Sequence, residues 1–208
     1  MKEKIKTTAL QLFNETGIST VSMLQIAQKL NISAGNLSYH FKNKELLLEA
    51  IFEDLKEEST KFLFPPNEYI TLHHFENSMR KFDRVQSKYE FFFNELVHIT
   101  RVYPSIAKRY EAVNLTRFKE SRKLIDYYIE TDRLKPENEY TNYDKMIHSI
   151  WMISTFWQSQ KQIITDTDFT LNKGDFIDFH WNLLIPFLTE TGLTEYQQIK
   201  KYTNTNPL

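Results

Sequence analysis

The chain has 208 residues, 41% hydrophobic and 25% charged, with a net charge of −1 at pH 7, so it can bury a core without disulfides and carries no large overall charge. It contains no Cys, which excludes thiolate metal sites and thiol nucleophiles, and only four Gly, at 17, 35, 174 and 192, which favours helix throughout. The longest apolar stretch, Leu183 to Leu188, is far short of a membrane span, and no apolar region of signal-peptide length follows the first residues, so the expected compartment is the cytoplasm.

The first predicted helix is amphipathic, with Ile5, Ala9, Leu12 and Phe13 on one side. Ser22 followed three places later by Gln25 forms a capping box, so a second helix starts at about Met23, with Met23, Ile26, Ala27 and Leu30 on its apolar face. Asn31 stands just past that helix, where a left-handed residue is needed and Asn serves best after Gly. Ile32 plugs the corner, and Ser33 caps a third helix from Ala34 to about His40, anchored by Leu37 and Phe41. Two short helices joined by a turn of three or four residues make a helix-turn-helix.

The outer surface of the third helix suits DNA. With Leu37 turned inward, Ala34, Gly35, Asn36, Ser38, Tyr39 and His40 remain outside, and Lys42 and Lys44 follow. Asn36 can pair bidentately with adenine, the Ala34 methyl can meet a thymine methyl, and a helix N-terminus attracts phosphate. Ser22, Ser33, Tyr39, His40 and Lys44 suit phosphates, and Gly35 suits a close approach. Six Lys against two Glu leave residues 1–44 at +4, so the remaining 164 residues carry −5 and the positive field lies where nucleic acid would bind.

Asn43 caps a long fourth helix from Lys44 to about Phe62, with Leu47, Leu48, Ile51, Leu55 and Phe62 inward, and Pro65-Pro66 ends it. Helical spacing predicts a helix from Thr71 to Ser87 and an apolar one from Tyr89 to Ile99. Another starts at Pro104 and runs to about Thr131. After a polar connection come helices over Asp144–Ile164 and Asp175–Thr191, the latter bent at Pro186, and a short helix after Gly192. Met146, Ile150, Ile153 and Trp157 form one stripe, Ile147, Trp151 and Phe156 part of another, and the following helix is apolar on two sides as well. Neither Asp144 with His148 nor Asp178 with His180 supplies the three or four convergent ligands of a metal site. With no His-Glu-x-x-His motif, phosphate loop or nucleophile elbow, no enzyme, metal or cofactor is expected.

Residues 5–52, through Ala9-Leu10-Gln11-Leu12-Phe13, Gly17, Ser22-Met23-Leu24-Gln25-Ile26-Ala27, Ser33 to Phe41 and Lys44-Glu45-Leu46-Leu47, closely resemble the DNA-binding domain of the TetR family of transcriptional regulators. Asn31, Ala34 and Ser38 depart from the family's usual Gly, Lys and aromatic residue. The resemblance implies an all-α fold: a three-helix helix-turn-helix domain over 1–46, joined by the long fourth helix to a helical ligand and dimerisation domain over 47–208. It implies a repressor that binds a near-palindromic operator as a homodimer through the helices near 144–164 and 175–191. It further implies release by a small apolar or amphipathic ligand, for which Phe92, Tyr103, Tyr110, Trp151, Phe156 and Trp157 are candidate pocket walls. The alternative is a DNA-binding dimer that is constitutive or governed by a protein partner, without a small-molecule effector.

Overall fold

The computed structural model describes residues 1–60, 69–164 and 176–205. Among them are helices and no strand; the only extended pairings are isolated bridges between Leu134 and Leu188 and between Asn138 and Thr141. The described residues fall into two compact units, one drawn from 1–60 and 85–113 and the other from 69–84, 114–164 and 176–205.

The first unit holds α1 (Lys2–Thr16), α2 (Met23–Lys29), α3 (Ala34–His40) and α4 (Lys44–Thr60). It also takes in the end of α5 (Leu72–Lys88), the short α6 (Glu90–Asn94) and α7 (Leu96–Val102), and the start of α8 (Pro104–Glu130). Ile5, Ala9 and Phe13 repeat every four residues, so α1 turns one apolar face inward, and Ile26, Ala27, Leu37, Leu47, Leu48 and Ile51 of the next three helices are buried as well. Phe13 meets Phe91 at 5.2 Å between ring centroids and Phe52 meets Phe92 at 5.5 Å, which ties α6 into the same core. A seven-residue helix does not persist alone in water, so α3 depends on Leu37, 1% exposed, whose burial contributes about 2–3 kcal/mol.

The second unit holds the start of α5, the rest of α8, α9 (Tyr143–Ile163), α10 (Phe176–Leu184), a 3-10 turn at Ile185–Phe187, and α11 (Glu190–Thr205). Phe75, Tyr128, Ile147, Trp157, Phe176 and Trp181 are central to its core. Glu76 and His180 are buried there with their partners. The Glu76 carboxylate accepts from Arg80 at 2.6 Å and from the Trp181 indole at 2.8 Å. The His180 Nδ1–H donates to the Phe176 carbonyl at 2.6 Å, and its Nε2 accepts from the Ser154 hydroxyl at 2.7 Å. Burial pushes the His180 pKa down and keeps the ring neutral. Asp178 pairs with Lys200 and Asp144 with Arg122, so each candidate metal-binding pair is engaged elsewhere.

Three expected elements differ. The apolar helix over 89–99 is broken at Glu95, whose backbone (φ −108°, ψ 19°) leaves helical geometry while its carboxylate accepts the N–H of Ile18. The helix expected to bend at Pro186 and reach Thr191 stops at Leu184 instead. Pro186 has no N–H to offer the carbonyl of Asn182, and the chain tightens into a 3-10 turn. The closing helix begins at Glu190 and has 16 residues, so Gly192 lies in its first turn and does not precede it. Phe62, Pro65-Pro66 and Lys173-Gly174-Asp175 lie outside the described residues.

Candidate DNA-binding surface

The helix-turn-helix is built by local hydrogen bonds. Ser22 Oγ accepts the Gln25 N–H at 3.3 Å and the Gln25 side chain accepts the Ser22 N–H at 2.7 Å, closing the capping box that starts α2. Asn31 adopts φ +54° and turns the chain, and the Ile32 N–H reaches back to the Ala27 carbonyl at 3.0 Å. Ser33 Oγ then accepts the Asn36 N–H at 3.1 Å to start α3, and Asn43 Oδ1 accepts the Leu46 N–H at 2.9 Å to start α4. Four cap or turn residues therefore set two helix starts, one reversal and the exit within 22 residues of sequence.

On α3 the candidate residues share one surface. Ser33, Ala34, Gly35, Asn36, Ser38 and Tyr39 are exposed, and His40 is half-buried with its ring edge-on to Tyr39 at 5.2 Å. Tyr39 is 86% exposed, a large ring that the unit's own packing does not use. A Cβ built on Gly35 would meet nothing closer than Ser33 Oγ at 3.9 Å. Ser22 and Ser33 stand at helix starts with their hydroxyls already engaged in caps.

Lys44 is placed differently from a free phosphate donor. Its ammonium donates to the Ile18 carbonyl and lies 5.7 Å over the Phe13 ring, and burial pushes its pKa down. Replacement by Met leaves that carbonyl without its donor. Lys44→Met is therefore expected to lower the melting temperature by roughly 3–6 °C, from about 1–2 kcal/mol of lost hydrogen bonding. Calorimetry checks this, and an unchanged melting point would assign Lys44 to the solvent side.

Of the six candidate ligand residues, Phe92, Tyr103 and Tyr110 belong to the first unit and Trp151, Phe156 and Trp157 to the second. Phe92 is buried in the first unit, with Tyr110 beside it at 5.7 Å, while Tyr103 is half-buried at the end of α7, where burial pushes its pKa up. Trp151 donates its indole N–H to Asn114 at 3.1 Å, Trp157 packs against Phe176 and Phe179 at 5.7 and 4.9 Å, and Phe156 is largely exposed. The second unit contains a cavity of about 120 Å³ walled by Phe75, Met79, Leu124, Ile125, Ile147 and Ile150, none of which is among those six. Aromatic content singled out residues that do not line this cavity. Phe75 and Met79, one helical turn apart on an apolar stripe of α5, were the available signal.

The arrangement defines a helix-turn-helix protein with a separate helical unit. The sequence model described as bacterial regulatory proteins, tetR family, matches residues 5–51, and the one described as bacterial transcriptional repressor matches 54–196. The chain belongs to the TetR family of transcriptional regulators. It is 24% identical over 197 residues to the negative transcriptional regulator IcaR of the biofilm operon icaADBC in Staphylococcus epidermidis, covering 90% of this chain and 99% of that one. It is 44% identical over 50 residues to the class D tetracycline repressor protein of Escherichia coli, a match spanning 24% of this chain and 23% of that relative's length. A TetR-family transcriptional regulator from Marinobacter aquaeolei has the same fold, with a TM-score of 0.85 at 23% identity over 97% of this chain and 98% of the other. No helix among the described residues is long and apolar enough to cross a membrane.

Proposed function

We propose that the protein is a repressor that binds a near-palindromic operator as a homodimer through residues 1–46, and that a small apolar or amphipathic ligand in the helical unit releases it. The observation that carries the DNA-binding part is the outer surface of α3. Gly is a poorer helix former than Ala, and nothing in the protein's own packing requires it at 35. Gly35 and the exposed Tyr39 serve an outside partner that approaches the helix closely, as a DNA backbone does. Asn36 and Ala34 read base edges, and Ser33, Ser38, Tyr39 and His40 meet phosphates, with Ser22 at the start of α2 adding another. Two copies of α3 enter successive major grooves about 34–36 Å apart. Selection of bound duplexes from random DNA tests this: enrichment of a palindrome is expected, and failure to enrich one would overturn the reading.

Support for the homodimer comes from α9. Met152, Phe156 and Ile163 share one face and are 49%, 41% and 79% exposed, while Phe179 and Leu183 of α10 are only half-buried. Phe156→Glu is expected to shift the protein to monomers and weaken operator binding at least tenfold, because each half-site then binds alone. Sedimentation velocity checks this, and an unchanged dimer would place the interface elsewhere.

Effector size follows from the cavity. A void of about 150 Å³ holds benzene, so the 120 Å³ cavity takes a body of that scale in the state described. The same small volume favours the second reading, a regulator with no small-molecule effector. Native mass spectrometry of protein isolated from cells separates the two by the presence or absence of a bound mass.

A further inference from the structure

The turn between α1 and α2 is held from two sides within the first unit. On one side the Glu95 carboxylate accepts the Ile18 N–H at 2.6 Å through Oε1 and the Ser19 hydroxyl at 3.4 Å through Oε2. On the other the Lys44 ammonium donates to the Ile18 carbonyl. The N–H and C=O of one residue are thus gripped by opposite charges, and bonds of that kind are stronger than neutral ones. Gly17, at φ +84°, makes room for this. A Cβ there would lie 3.1 Å from Glu95 Oε1, and a side chain at that φ is strained.

Neighbouring contacts reinforce the grip from the same segment. Asn14 donates to the Lys88 carbonyl at 2.9 Å and accepts the Phe91 N–H at 3.0 Å, and Ser19 Oγ is 3.1 Å from His98 Nε2. Residues 88–98 therefore hold α1 and its exit at three points. From Ser19 only three residues remain to Ser22, the cap of α2, and α2 leads through Asn31 straight into α3. Glu95 is also the residue at which the 89–99 helix breaks, so its carboxylate is aimed by a local departure from helical geometry.

We infer that Glu95 is a positioning residue for DNA recognition: its carboxylate sets the α1–α2 turn, and with it the placement of α3. This rests on the DNA-binding reading above. Charge alone makes the opposite prediction, since removing an anion from a DNA-binding unit raises affinity for any duplex.

The test uses the 208-residue protein, the duplex enriched from random DNA, and a scrambled duplex of equal length, at one salt concentration. Glu95→Ala is expected to bind the enriched duplex at least tenfold more weakly than the unsubstituted protein and the scrambled duplex equally well or better. Glu95→Gln loses the same charge but keeps a carbonyl acceptor for the Ile18 N–H, and it is expected within threefold of the unsubstituted protein on the enriched duplex. Stoichiometric titration fixes the active fraction in each case, so misfolded protein does not count as lost affinity. If Glu95→Ala fails to fold, Glu95→Asp, which shortens the reach by one methylene, replaces it with an expected loss of about threefold or more. Glu95→Ala binding as tightly as the unsubstituted protein, or Gln and Ala losing affinity equally, would overturn the inference. An unsubstituted protein that distinguishes no duplex would instead overturn the DNA-binding reading itself.

Discussion

Asn36→Ala and Leu37→Ala, adjacent on α3, are expected to abolish operator recognition in opposite ways. A bidentate Asn–adenine pair is worth about 1–3 kcal/mol of discrimination, and the proposed dimer would lose two of them, so Asn36→Ala should weaken binding to the enriched duplex roughly thirtyfold or more. Binding to scrambled DNA should not change. Nor should the melting point fall, because Ser33 caps the backbone N–H of residue 36, which Ala retains, and Ala favours the helix. Leu37 is the buried anchor of the same helix, and its truncation leaves a cavity costing about 2–5 kcal/mol, or roughly 10 °C in melting temperature. Leu37→Ala should lose binding to both duplexes together as the fold weakens. Fluorescence anisotropy on the two duplexes, paired with calorimetry, separates the cases. Equal losses on both duplexes for Asn36→Ala would remove it from base reading.

The contrast between these neighbours was legible before any coordinates, because everything that builds α2, the turn and α3 lies within a few residues. Ser22 with Gln25, Asn31, Ser33 and Asn43 act over three or four positions, and hydrophobic spacing sorts Leu37 from Asn36. Features set by distant partners were not legible. Glu95 leaves its helix while holding an N–H 77 residues away in sequence, and Lys44 turns toward a carbonyl 26 residues away. The break at Pro186 was half-legible: the missing N–H predicted a disturbance, but whether the helix bends or ends depends on what takes over its backbone groups. Here Lys135 N–H takes the Phe187 carbonyl at 2.9 Å, so the chain stays extended at Leu188 before α11. The lining of the cavity was not legible for a reason of volume. Large rings pack against one another, as Phe92 does with Phe52, Phe91, Phe93 and Tyr110, and the cavity is walled by Leu124, Ile125, Ile147, Ile150 and Leu184 together with Phe75, Tyr128 and polar side chains.

Gly192→Ala is expected to destabilise the protein by about 3 kcal/mol, lowering its melting temperature by roughly 6–12 °C, although Ala is the better helix former. A Cβ at 192 would stand 2.2 Å from the Arg133 carbonyl oxygen and 3.1 Å from Leu188 Cδ2, so backbone must move. That backbone is tied down on every side. The Arg133 carbonyl accepts the Thr189 N–H at 3.1 Å, Thr189 Oγ1 donates to the Asp132 carbonyl at 2.5 Å and accepts the Gly192 N–H at 3.0 Å, and Thr191 Oγ1 donates to the Asp132 carboxylate at 2.8 Å. Asp132 is itself at φ +55°, and the Arg133 side chain is buried against Glu195 at 2.7 Å and Tyr69 at 2.5 Å. Glu195 in turn accepts the Leu72 N–H at 3.0 Å at the start of α5. Retreat of one carbonyl therefore loosens the end of α8, the start of α11 and the start of α5 together. A small propensity gain does not offset that. An unchanged melting point in Gly192→Ala would mean that this turn shifts as a body, and that its hydrogen bonds follow the carbonyl without loss.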